Sequence, residues 1–299
     1  MTFGDAGYQS DWFDILQATF MRHAFIGGSL VALAAGMLGY FVVVRRQAFA
    51  AHALAHIGFP GATLAALIGI PITFGLGAFC IAGALAIAVL GREIEEREIA
   101  TGTILAFSTG LGLLFSSLAT QNTRTITNVL FGNLLAVTTA QLTTFAAVTV
   151  GVAVVLLVVG RPLTFASVDP QVAEAKGVPV KALGIVFLVL LALVVTIAVQ
   201  VVGTLLLFAL VVTPSATALL LTARPAAVAL LGTGVALGSV WLGLVLSVMF
   251  NLPPSFFIVA TSFVVWLIAV VWDRRRRANL TAIEQPVDRH HPVHASVVA

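Results

Sequence analysis

Nine apolar runs, each near the length that crosses a bilayer, leave this chain little freedom in what it can fold into. They cover about residues 24–44, 48–70, 74–90, 101–119, 141–160, 182–199, 203–221, 226–250 and 256–272. A spanning helix needs about 20 apolar residues, so the runs consume about 180 positions and leave almost nothing for a soluble domain. Of the 299 residues, 60% are hydrophobic and 9% are charged, with a mean hydropathy of +1.10. Ordinary soluble domains carry about 25% charged residues. A soluble enzyme, a disordered chain and a nucleic-acid-binding protein are therefore excluded. The expected fold is all-α, a polytopic transmembrane bundle of about 8–9 spans. Its membrane domain would cover 24–272, after an outer segment 1–23 and before a cytoplasmic, disordered tail 273–299.

The few charges give an orientation. An N-terminus on the outside places Arg45, Arg46, Arg92, Arg97, Arg161, Lys176, Lys181, Arg224 and Arg274–Arg277 on the cytoplasmic side. Only Arg22 and Arg124 fall near the outer face, as the positive-inside rule requires. Nine crossings then put the C-terminus inside. The acidic start, with Asp5, Asp11 and Asp14, lacks the basic region of a signal peptide. The sixth and seventh runs, parted by little more than Gln200, read as a hairpin. The charged stretch Arg92–Glu98 reads as a solvated loop. Cys80 is the one cysteine, so no internal disulfide forms.

The second run carries the chemistry. His52 and His56 are four residues apart, a rotation of about 400° on a helix, so both imidazoles share one face. Two histidines at that spacing can reach one metal ion. Polar groups inside a membrane are costly and mark pathways. Pro60-Gly61 follows as a kink. Residues 161–181 are polar and hold Asp169, Glu174 and Lys176, so they cannot span; a short helix lying along the membrane is expected there. The tail histidines His290, His291 and His294 read as incidental. No Gly-x-x-x-x-Gly-Lys-Ser/Thr loop exists, so the chain does not bind ATP by that route. No carboxylate lies deep in a run, which argues against proton or sodium coupling.

The pattern resembles the integral-membrane permease of ATP-binding-cassette importers for zinc, manganese and iron(II). In that family a basic pair precedes Gly-Asp-x-x-x-His and then Pro-Gly. Here Arg45-Arg46, His56 and Pro60-Gly61 match, while Ala51 and His52 replace the Gly and Asp. Leu130–Val137 resembles a segment that usually has Asp at the place of Asn133, and it is most similar to the zinc members. Asp169, Pro170, Ala173, Gly177 and Val178 match the segment that docks on the ATPase. Val202-Gly203 through Pro214–Ala218 resembles a late helix pair.

The resemblance covers about 24–272. It implies a multi-pass cell-membrane protein that is no enzyme and has no cofactor beyond its cargo. It implies alternating access in a homodimer, cytoplasmic ATPase subunits and an extracytoplasmic metal-binding protein. The metal path falls on His52 and His56. Imidazole in place of carboxylate tilts the cargo toward zinc, with manganese or iron(II) as the alternative. An ATP-independent transporter is a weaker rival. So is an intramembrane metalloenzyme, because positions 53–55 are Ala-Leu-Ala where His-Glu-x-x-His would need Glu.

Overall fold

The computed structural model describes residues 12–91, 94–118, 127, 129–204 and 206–284. Every regular element among them is helical. A short α1 (Trp12–Gln17) leads into α2 (Thr19–Val44), α3 (Ala48–Ile68), α4 (Ile72–Leu90) and α5 (Ile94–Leu118). A 3-10 turn at Leu134–Ala136 precedes α6 (Thr139–Val168), the short α7 (Pro170–Ala175) and α8 (Val180–Val202). Two short helices follow, α9 (Leu207–Val211) and α10 (Thr213–Leu221), then α11 (Pro225–Phe250) and α12 (Pro254–Glu284).

Eight of these helices are long and apolar enough to cross a membrane. They are α2, α3, α4, α5, α6, α8, α11 and α12. The seventh apolar run is instead the broken pair α9–α10. Its break has a local cause: Pro214 lies in the first turn of α10, where its missing N–H costs nothing, but it could not continue a helix begun at Leu207. A broken helix in a bilayer must satisfy its freed carbonyls within the protein. Ser262 of α12 donates to the Ala209 carbonyl at 2.9 Å, and Thr213 Oγ1 donates to the Phe208 carbonyl at 3.4 Å.

Close contacts fix the directions. A Cβ at Gly28 would meet Val240, and one at Gly36 would meet Thr233, so α2 and α11 run antiparallel. Trp241 Nε1 donates to Ser29 Oγ at 2.9 Å in the same register. At the end where α2 begins, Gly27 abuts Val137 and Leu142. At the other end, Arg45 donates to Ser167, which is near the finish of α6. The pair α9–α10 descends from Gly203 to Ser215, which touches Gly39. The described helices thus pass between the two ends nine times, with α2 starting at the end opposite to where α12 finishes.

Three sequence boundaries move. Pro162 does not stop α6, which continues to Val168; the Thr164 hydroxyl donates to the Gly160 carbonyl at 2.7 Å beside the proline. The cluster Arg92–Glu98 is, from Ile94 onward, the first turn of α5 rather than a loop. Its run of glutamates suits the positive end of a helix dipole. The last helix runs through Asp273 and Arg274–Arg277 to Glu284, with Arg277 Nε 2.8 Å from Asp273 one turn away. Arg124 and the tail histidines His290, His291 and His294 lie outside the described residues.

The core is built from small residues. α2, α3 and α8 are the most enclosed spans, with buried runs such as Ala32, Ala34 and Ala35 or Ala53, Leu54 and Ala55. In lipid no hydrophobic force separates helix from solvent, so close backbone approach does the packing. At the crossing of α3 and α4, the Cα hydrogens of Gly61 and Gly75 face each other's backbone, and a Cβ on either would collide with the opposite carbonyl.

Candidate functional site

His52 and His56 lie in the first half of α3. Their ring centroids are 4.9 Å apart with an interplanar angle of 72°. Both side chains are half-buried, and neither ring hydrogen-bonds to any described residue. An imidazole tied across helices would have a purely structural explanation; these two have no such tie. The buried residues Ala53, Leu54, Ala55 and Ile57 turn to the other side of the helix. The open stripe of α3 is therefore Phe49, His52 and His56.

The backbone here is distorted in a defined way. Pro60 has no N–H to give to the His56 carbonyl, the bond a regular helix would make. One turn on, Thr63 Oγ1 donates to the Phe59 and Pro60 carbonyls at 3.2 and 3.0 Å, which holds the helix together past the proline. The His56 carbonyl thus lacks the N–H donor that residue 60 would supply in a regular helix. Among the described residues no third His, Cys, Asp or Glu joins the pair in a cluster able to hold a metal. The donor set within one chain is two ring nitrogens.

Asn133 is elsewhere. Its N–H donates to the Gln200 carbonyl at 3.1 Å, at the end where α8 finishes. The residue that organises this end is Gln200, which the sequence presents only as a break between two runs. Gln200 Oε1 accepts from Thr73 Oγ1 of α4 at 2.8 Å and from Gln141 Nε2 of α6 at 3.1 Å. Its Nε2 donates to the Thr196 carbonyl at 2.9 Å. One amide ties three spans. Beside it, Gly132 (φ 74°) and Gly203 (φ 82°) press backbone to backbone. Thr204 N donates to Val129 O at 3.0 Å there. Both glycines need the left-handed region, where a side chain is strained.

The docking candidates form a built element at the opposite end. Asp169 accepts from Val172 N at 3.0 Å and caps α7; Pro170 occupies its first turn. Ala173 is fully buried and anchors the helix. Gly177 (φ 81°) ends it, and Val178 N donates to the Ala173 carbonyl at 3.0 Å. These five residues shape and seat α7. The side chains it presents outward include Gln171, Val172 and Glu174.

The sequence profile of the ABC 3 transport family matches residues 17–273. The chain belongs to this family. The manganese import system permease protein ScaB of Streptococcus pneumoniae is 32% identical to it over 275 residues, 89% of this chain and 95% of that one. The manganese transport system membrane protein MntC of Listeria monocytogenes is 29% identical over 259 residues, 86% of this chain and 92% of that one. The structure of PsaBC from Streptococcus pneumoniae in complex with Fab superposes with a TM-score of 0.78 at 28% identity, over 87% of this chain and 95% of that one. As a member of the ABC 3 family this chain is a membrane permease, not an enzyme, and ATP hydrolysis resides on a separate subunit.

Proposed function

We propose that this permease passes a divalent transition metal across the membrane by way of His52 and His56, in an importer driven by a separate ATPase. The observation that carries the reading is the edge-to-face imidazole pair without a hydrogen-bond partner among the described residues, on the open stripe of an otherwise apolar helix. Two nitrogens are too few to replace the hydration of a divalent ion, since zinc sites use four ligands. A second copy of the chain, facing the first along this stripe, would supply two more and make a four-imidazole passage on the dimer axis.

Zinc is the cargo that this donor set favours. His52 stands where the resembling family has Asp, and imidazole suits zinc while carboxylate suits manganese. Manganese is the second reading, and the names of the Streptococcus and Listeria relatives favour it. The basic end of the bundle is assigned to the cytoplasm by its arginines, so the N-terminus lies outside and α7 faces the ATPase. Asp169, Pro170, Ala173, Gly177 and Val178 then form the docking element, and an extracytoplasmic binding protein delivers metal to the Gln200 end.

The test is uptake by the complete transporter in proteoliposomes with internal ATP. A His52→Ala, His56→Ala double variant that inserts and hydrolyses ATP should lose zinc uptake. Normal uptake by that variant refutes the path. Competition between zinc and manganese in the wild-type protein separates the two cargo readings.

A further inference from the structure

A groove of about 1060 Å³ opens at the basic end, among the ends of α2, α4 and α6 and the starts of α3, α5 and α8. Its wall holds four cations, Arg45, Arg46, Arg97 and Lys181. The carboxylates of Glu98 and Glu174 also line it, yet among the described residues neither lies within ion-pair distance of any of the four. Arg45 is the most enclosed. Its Nη1 donates to Ser167 Oγ at 3.2 Å, and its guanidinium lies 5.2 Å over the Phe187 ring. Burial, and then the nearby charge of Arg97, hold the Arg45 guanidinium below its ordinary pKa range. A desolvated charge beside a like charge, with no counterion among the described residues, is an unfavourable arrangement that a bound anion would relieve.

The same groove has an apolar side. Phe49, Val89 and Ile185 line it and are 45%, 69% and 40% exposed. An acidic protein segment would neutralise the arginines and leave these side chains unused. A molecule with an anionic head and a hydrocarbon tail uses both. Guanidinium groups suit a phosphate in particular, because their paired N–H groups match its oxygens. Basic pockets between spanning helices on the cytoplasmic side are where lipid headgroups bind.

We propose that this groove is a binding site for an anionic phospholipid, with its phosphate between Arg45 and Arg97 and its acyl chains along Val89 and Ile185. The site couples the joint of α2 and α3, just before His52, to the start of α8 and to α7. A seated lipid would therefore brace the elements that transmit motion from α7.

The test uses the complete transporter in nanodiscs of phosphatidylcholine with increasing phosphatidylglycerol, with native mass spectrometry to count retained phosphatidylglycerol. The wild-type protein should retain one molecule per permease copy. Arg45→Gln with Arg97→Gln should weaken retention about 30-fold, from roughly five-fold for each cation lost. The exposed pair Arg46→Gln with Lys181→Gln, which leaves the packing untouched, should weaken it by a similar factor. Arg274→Gln with Arg275→Gln, outside the groove, should leave it unchanged. Equal weakening by that last pair would mean a diffuse basic surface and overturn the site. Displacement by millimolar inorganic phosphate would mean a free-anion site and also overturn it. So would lipid that the permease alone retains and the complete transporter does not, because the groove would then belong to a protein partner. None of these readouts depends on metal uptake, so the lipid site and the histidine path stand or fall separately.

Discussion

One side of α3 carries Gly58 and Gly61 against α4; the stripe around from it carries Phe49, His52 and His56. On the first side there is no slack. A Cβ at Gly61 would strike the Gly75 carbonyl and reach Phe79 Cβ at 2.9 Å, and one at Gly58 would reach Cys80 Sγ at 2.8 Å. Cys80 Sγ also donates to the Leu54 carbonyl at 3.3 Å, from behind the histidine turn. On the second side neither imidazole has a hydrogen-bond partner among the described residues. The packed side leaves no room for α3 and α4 to slide past each other, whereas the histidine side is open.

Loading the closed side gives the largest expected effect. Gly61→Val places a branched side chain into the Gly75 backbone, and overpacking of this kind costs about 3 kcal/mol. Thermal unfolding of the detergent-solubilised protein should show a lower midpoint and poor expression. A midpoint within a degree or two of wild type, with normal yield, would show that α3 and α4 separate freely and would break the contrast. Emptying the open side should do the reverse. His52→Ala with His56→Ala should change stability by less than about 0.5 kcal/mol, as expected where no buried contact is removed. Uptake of zinc should fall by about 100-fold, the scale at which even supporting residues of metal sites matter. Stability and transport are then governed by different sides of one helix.

Thr63 lies between these extremes. Its hydroxyl bridges the Phe59 and Pro60 carbonyls where the proline interrupts the helix. Thr63→Val keeps the shape and removes both bonds, which should cost about 1 kcal/mol, again read as the unfolding midpoint. Uptake should fall only modestly. A large loss of uptake at unchanged stability would mean that the kink itself sets the imidazole positions.

How far the sequence revealed this depended on whether a feature is local. Eight spans followed from run length, because about 20 apolar residues in lipid leave a chain few alternatives. The histidine pair followed from its spacing, a property of one helix. The break of the seventh run into α9 and α10 did not, because Pro214 in that run does not show what satisfies the freed carbonyl, which found its partner in Ser262, in another span. The fifth run erred in the opposite sense: the apolar stretch ends at about 160, yet α6 continues through Pro162 to Val168. Gln200 shows the limit most plainly. A single amide in an apolar run looks like a boundary until Thr73, Gln141 and Asn133 arrive from three other segments. The segment Asp169–Val178 forms α7 and its two ends, with Asp169 and Pro170 themselves exposed.

The smallest effect tests where the packed side ends. α5 also leans on α3, and a Cβ at Gly112 would meet the Phe59 ring, but Gly102 of the same helix has nothing within 4 Å of its would-be Cβ. A glycine in an unobstructed helical position only adds conformational freedom to the unfolded chain. Gly102→Ala should therefore stabilise the protein by about 0.5 kcal/mol, visible as a small rise in the unfolding midpoint of the isolated permease. The same substitution measured in the complete transporter gives a sharper answer. If the rise persists, the surface around Gly102 stays in contact with lipid. If it turns into a loss, another subunit packs there as closely as α4 packs on Gly61, and the close packing that begins at α3 extends beyond this chain.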